Sequence, residues 1–141
     1  VLPCVRDARD RGVLFDIGHG MASFSFAVAQ AAIGDGFLPD TISTDLQNRH
    51  AGQTPPHDLP HVMSKLAAAG MSEPDIVRAV TTTPASVLRL ENCSLDAGST
   101  ADLVVLERQE NVALEDSMGE CRTGPRYEPR CVIRAGEIIQ E

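Results

Sequence analysis

The chain has 141 residues, of which 43% are apolar and 23% charged, and its net charge is −8. This composition suits an ordinary globular domain and excludes a low-complexity disordered chain; no run approaches the roughly 20 apolar residues that span a bilayer. The basic residues are scattered among acids, which excludes a nucleic-acid partner, because neutralising phosphates requires clustered cations.

The first residues, VLPCVRDARDRG, mix charge with apolar side chains and do not read as a signal peptide. The chain begins with Val1 rather than Met, so it is expected to start inside a longer protein. Cys4, Cys93, Cys121 and Cys131 are far apart and form no C-x-x-C pair. A zinc ribbon is thereby excluded, and free, mostly buried thiols in a cytoplasmic protein are expected.

Pro3 to Arg11 reads as a short amphipathic helix ended by Gly12, followed by a buried strand at Val13-Leu14-Phe15. That strand stops at Asp16-Ile17-Gly18-His19-Gly20, where two glycines allow a sharp turn. Ser23 is placed to cap a second helix from Phe24 to about Ile33, apolar on nearly every face and so expected to be covered on both sides. Gly34 and Gly36 break it, and a short β-prone segment, Thr41 to Thr44, ends at Asp45. The α-β-α-β order with short turns predicts a parallel sheet.

Leu46 to His57 is polar, with Gly52, Pro55 and Pro56, and reads as a loop following a strand. Asp58 to Ala69 has helical apolar spacing, Ser72-Glu73-Pro74-Asp75 resembles a capping box opening a helix to about Val80, and Thr83-Pro84 starts another from Ala85 to Leu90. Beyond Leu90 the character changes. Asp102 to Leu106 reads as a strand, residues 109–130 as largely loop, and 131–139 as a hairpin turning at Ala135-Gly136. A domain boundary is expected near residue 91, giving units 1–90 and 91–141, with no internal repeat.

In parallel sheets, polar residues just past a strand's C-terminal end lie on the functional face. Asp45 and His19 both hold such positions. A carboxylate at 45 suits a metal ligand or general base, although a strand-end Asp also serves as a cap or turn residue. His19, between Gly18 and Gly20, has room for a ligand; a turn histidine with a satisfied ring is the plain alternative. His57 and His61 are four apart, but His57 precedes the helix and Pro60 lies in its first turn, so the pair reads as surface polarity without an H-E-x-x-H pattern. Ser23 and Ser64 lack a G-x-S-x-G context.

Val13-Leu14-Phe15-Asp16-Ile17-Gly18-His19-Gly20 with Ser23-Phe24 resembles the seventh barrel strand of dihydroorotase-like amidohydrolases, in the amidohydrolase/deacetylase branch. Pro39-Asp40-Thr41-Ile42-Ser43-Thr44-Asp45-Leu46 resembles the eighth. Asp58-Leu59-Pro60, Met63-Ser64-Lys65, Thr83-Pro84-Ala85 and the stretch from Gly98 to Val105 match the usual ending, so the resemblance covers residues 1–107 well and the rest loosely.

The resemblance implies an α/β fold: the C-terminal part of a TIM-type (β/α)8 barrel, strands seven and eight with their helices, plus a small β-sandwich-type subdomain. It implies a hydrolase of C–N bonds in amides or cyclic amides, or of acyl groups, acting on a small molecule and using one or two divalent metal ions, with zinc the expected ion. Asp45 would be the strand-eight aspartate, both metal ligand and proton shuttle, and His19 with Gly20 would contact substrate. The family's H-x-H, its bridging carboxylated lysine and two further histidines would lie before Val1, so this chain alone is expected to be inactive. It would act as a homo-oligomer or paired with the rest of the barrel. Gln47, where the family often has histidine, and the less glycine-rich Met21-Ala22 are departures that bear on substrate contacts. The alternatives are a non-catalytic relative that keeps the barrel as a scaffold or assembly module, and a free-standing αβ unit with a binding role.

Overall fold

A computed structural model describes residues 1–19, 22–52, 57–91 and 93–140. Helix α1 (Pro3–Asp10) opens with proline in its first turn, where a missing N–H costs nothing, and ends before Gly12 at φ +90°. Arg9 ties it to the sheet. Its guanidinium donates to the carbonyl of Leu38 at 2.6 Å and to Asp40 at 3.1 Å, and lies 3.7 Å from the centroid of the Phe37 ring.

The first ladder forms later than the apolar run suggests. Val13 N–H still bonds to Ala8 O at the end of α1, and Val13 and Leu14 are half-exposed. Strand β1 is Asp16–Ile17, paired in parallel with β2 (Thr41–Ile42), so the parallel pair is as expected while the strand itself is displaced by several residues. Bonds from Asp40 N to Phe15 O and from Ser43 N to Ile17 O extend the pairing at each end. Asp16 accepts hydrogen bonds from Thr41 Oγ1 at 2.6 Å and Ser43 Oγ at 2.5 Å, cross-linking the two strands.

Helix α2 spans Phe26–Gly34 and is capped by Ser25, not Ser23. The delay has a tertiary cause. Phe24 O accepts Ser117 N–H, some ninety residues away, in place of a helical N–H, while the N–H groups of Phe24 and Phe26 bond to Ser117 Oγ and Asp116 Oδ2, so Phe24 is held outside the helix. Gly34 closes the helix rather than breaking it. Only Phe26 and Ala29 of α2 are buried and Val28 is 70% exposed, so the described residues do not give the expected cover on both sides.

A short 3-10 turn at Asn48–His50 lies in the segment read as loop. Helix α3 (Leu59–Ala68) is capped by Asp58, whose Oδ1 accepts His61 N–H at 2.9 Å. Helix α4 (Glu73–Val80) is capped by Ser72, and α5 (Thr82–Leu88) stops at Arg89, which adopts φ +55°.

Residues 109–130 are not a loop. Strand β3 (Leu103–Glu115) and β4 (Cys121–Arg134) form a long antiparallel hairpin, to which β5 (Glu137–Gln140) adds a third strand. The hairpin is stabilised in ways that period-2 hydrophobicity does not register. Register shifts after Val105 and Gln109 break the alternation, with Asn111 at φ +59°. Glu107 pairs with Arg130 and Gln109 donates to Glu128 across the strands. Pro125 and Pro129 are tolerated because β5 pairs only with residues 132–134, so among the described residues no second strand calls for their missing N–H groups.

The hairpin packs on α3. Tyr127 and Leu114 join Phe24, Phe26, Ile42, Val62, Leu66 and Ile76 in one core. Tyr127 N–H donates to the buried Ser64 Oγ at 3.0 Å, and a Cβ at Gly124 would come within 2.6 Å of Ala68 Cβ. The four cysteines are free as expected, but Cys4, Cys93 and Cys121 are exposed and Cys131 is only partly buried, correcting the expectation of buried thiols. No helix among the described residues is long and apolar enough to cross a membrane.

Candidate functional site

Asp45 stands three residues past β2, exposed, in the left-handed conformation at φ +48° that Asp tolerates better than most residues. Its neighbour is the end of β1. A Cβ at Gly18 would lie 2.8 Å from Asp45 Cβ and 3.1 Å from Ser43 Oγ, so glycine at 18 permits the two strand ends to converge. Asp45 and His19 therefore flank a shared contact: Gly18 touches the first and precedes the second. Gly20 lies outside the described residues.

His19 is 1% exposed. Its ring stacks on Phe24 with centroids 5.5 Å apart and planes 14° from parallel. Lys65, 2% exposed, places Nζ 2.6 Å from His19 Nε2. The rings of His57 and His61 approach as well, centred 4.8 and 6.5 Å from that of His19 and 5.5 Å from each other. The sequence places His19 by its strand end, but His57 and His61, read as surface polarity, in fact gather with it. Lys65, part of the Met63-Ser64-Lys65 match, carries no site role in the sequence reading. The available signal was the run 57, 61, 65: His61 and Lys65 are one helical step apart on the same side of α3, and His57 lies one further four-residue step back, just before the helix.

The electrostatics are those of three imidazoles gathered around one buried ammonium. Burial first, then the Lys65 charge and the two other imidazoles, lower the His19 pKa to about 4, against a smaller opposing pull from Asp116. Burial, Lys65, His57 and Arg126 lower His61 to about 4. Burial, Lys65 and His50 lower His57, with Asp58 opposing. Burial lowers Lys65 to about 8, with Asp116 and Glu115 pulling the other way. At neutral pH the ammonium therefore donates to a neutral imidazole, whose Nε2 accepts. Asp116 is itself buried. Its pKa is lowered because hydrogen bonds from the N–H groups of Phe26, Glu120 and Met118 outweigh the upward push of desolvation.

Among the described residues no three His, Cys, Asp or Glu side chains converge as a metal would require. Asp45 offers one carboxylate, and a zinc ion takes three or four protein ligands, so the described residues do not by themselves fit a metal's shell.

No family model matches the chain. Over 91% of its length it is 44% identical to a deacetylase of Agrobacterium fabrum and 42% identical to a deacetylase of Brucella anthropi. Over 93% it is 38% identical to a deacetylase of Enterococcus faecalis. Among solved structures, an adenine deaminase superposes on the whole chain with a TM-score of 0.89 at 34% identity, and a dihydroorotase on 97% of it with a TM-score of 0.84 at 41% identity. The chain is a homologue of these amidohydrolase-superfamily proteins and shares their fold over the region it covers. Within that superfamily, the curated relatives it resembles are named deacetylases, and it spans about a third of their length (32%, 32% and 36%).

Proposed function

We propose that this chain is part of a metal-dependent amidohydrolase that removes acyl groups or opens amide C–N bonds of a small molecule, with Asp45 the carboxylate that binds metal and carries a proton. The observation behind this reading is the position of Asp45, exposed just past the C-terminal end of a parallel strand and against Gly18 of the adjacent one. The chain's similarity to deacetylases and to a dihydroorotase supports the reading, since barrel enzymes carry their chemistry past the C-terminal ends of parallel strands.

In this reading β1 and β2 are the seventh and eighth strands of a (β/α)8 barrel, residues 1–90 are its closing portion, and 91–141 belong to a β subdomain beside it. The remaining metal ligands come from parts of the protein outside this chain, zinc is the ion, and His19 and Gly20 border the substrate. The protein is cytoplasmic, and the chain works in contact with the rest of the barrel or with a further copy. A metal held there with ligands from the rest of the protein would supply a polarised water; this chain's share would be the Asp45 carboxylate, placed to hold a proton and return it to the leaving nitrogen or oxygen.

The test is Asp45→Asn in the full-length protein, assayed with zinc on N-acetylated amino acids and cyclic amides. Turnover is expected to fall by about 10²–10⁴-fold, the usual range for losing a general acid–base group. Unchanged turnover would remove Asp45 from the chemistry. An unsubstituted protein that binds zinc and hydrolyses none of these would favour the scaffold reading.

A further inference from the structure

The β3–β4 hairpin grips the two residues at the heart of the buried cluster from both sides. Its turn, Asp116 to Glu120, closes with Asp116 N–H bonded to Glu120 O at 2.9 Å. From that turn, Asp116 Oδ2 accepts Phe26 N–H at 2.9 Å while its Oδ1 accepts Met118 N–H at 2.8 Å and Glu120 N–H at 2.9 Å. Ser117 exchanges two bonds with Phe24: Phe24 N–H donates to Ser117 Oγ at 3.2 Å, and Ser117 N–H donates to Phe24 O at 3.0 Å. The Phe24 ring held in this way is the one stacked on His19, and Lys65 Nζ lies 6.0 Å from its centroid. Farther along β4, Tyr127 N–H holds Ser64, the residue before Lys65.

We propose that Asp116 and Ser117 are positioning residues for His19: through the backbone of Phe24 and Phe26 they set the Phe24 ring against the imidazole and so fix where His19 points. Ser117 acts through Phe24, and Asp116 acts through Phe26 as well as by its charge on the imidazole. The proposal deepens the reading of His19 as a substrate neighbour and rests on that reading for its link to turnover. The groups facing the pair are Lys65, His57, His61 and Asp116 around His19, with Glu115 and Asp116 toward Lys65.

The experiment is histidine-detected NMR of the protein with Ser117→Ala and with Asp116→Asn. Two readouts are taken: the ring-current displacement of the His19 protons over Phe24, and the His19 titration midpoint. Loosening Phe24 admits water, so with Ser117→Ala, which changes no charge, the displacement shrinks and the midpoint rises from about 4 by roughly one unit or more toward its ordinary value. Asp116→Asn carries a built-in discriminator. Loss of the carboxylate charge alone would lower the midpoint further, whereas displacement of Phe24 raises it. A lowered melting temperature with both readouts unchanged in Ser117→Ala would overturn the proposal, and that variant decides alone if Asp116→Asn does not fold. Moved readouts with unchanged kcat/KM would leave the positioning role standing and sink the assignment of His19 to substrate.

Discussion

Lys65 Nζ lies 2.6 Å from Nε2 of His19, and neither side chain is more than 2% exposed. A buried ammonium usually meets a carboxylate, and this one meets an imidazole. The nearby acid Asp116 has both oxygens occupied by backbone N–H groups. The pair therefore holds positive charge in a place that resists it, and the protein's response to pH follows.

Stability is expected to fall on mild acidification. His19, His57 and His61 all have folded-state pKa values below the ordinary 6.5, with His19 and His61 near 4. Between those limits the unfolded chain binds protons that the folded chain refuses. Their contribution is thus complete above about pH 6.5 and is lost as pH drops toward 4, at up to about 1.4 kcal/mol per unit for each histidine. Urea melts at pH 7, 5.5 and 4.5 measure this; a flat profile would contradict the burial of the cluster.

Alkali should act in the opposite sense on Lys65. Its folded pKa of about 8 lies below the unfolded 10.5, so the unfolded chain binds more proton between these values and stability gains as pH rises through them. Lys65→Met removes the charge that lowers all three imidazoles, so the His19 and His61 midpoints should climb from about 4. The stability change should stay within about 1–2 kcal/mol, because relief of a buried charge offsets the bond lost at His19 Nε2. Titration of the variant by NMR checks both.

Gly124→Ala should loosen the hairpin from α3. The added methyl would sit 2.6 Å from Ala68 Cβ and 3.1 Å from its Cα, and the helix backbone cannot yield as a flexible side chain would. A loss of about 1–3 kcal/mol is expected, the usual range for overpacking, read by denaturant unfolding.

Gly18→Ala tests the other close approach. Its methyl would meet Asp45 Cβ at 2.8 Å, and because a Cβ moves only with its backbone, the exposed segment at Asp45 must shift. The fold should lose little, about 1 kcal/mol, while turnover falls by an order of magnitude or more as Asp45 is displaced. Equal catalytic rates would argue that the position of Asp45 is unimportant.

The legibility of this chain in its sequence divides by range of interaction. Helices α3 and α4 are readable because Asp58 and Ser72 announce them locally, and Asp45 is readable because a short β segment runs straight into a polar loop. The start of α2 is not, since it depends on Ser117 and Asp116, residues that no local window contains. The β3–β4 hairpin hides for a related reason: its polar residues find partners across the ladder, Glu107 with Arg130 and Gln109 with Glu128, and its bulges erase the alternation that marks a strand. His57 is hidden by lying just before its helix, although the four-residue steps to His61 and Lys65 were available.

Pro125 and Pro129 carry a further consequence. On the stretch of β4 that β5 leaves unpaired, neither residue can offer an N–H to an incoming strand. Tyr127 N–H, between the two prolines, is already bonded to Ser64, so this margin of the sheet offers little to strand addition.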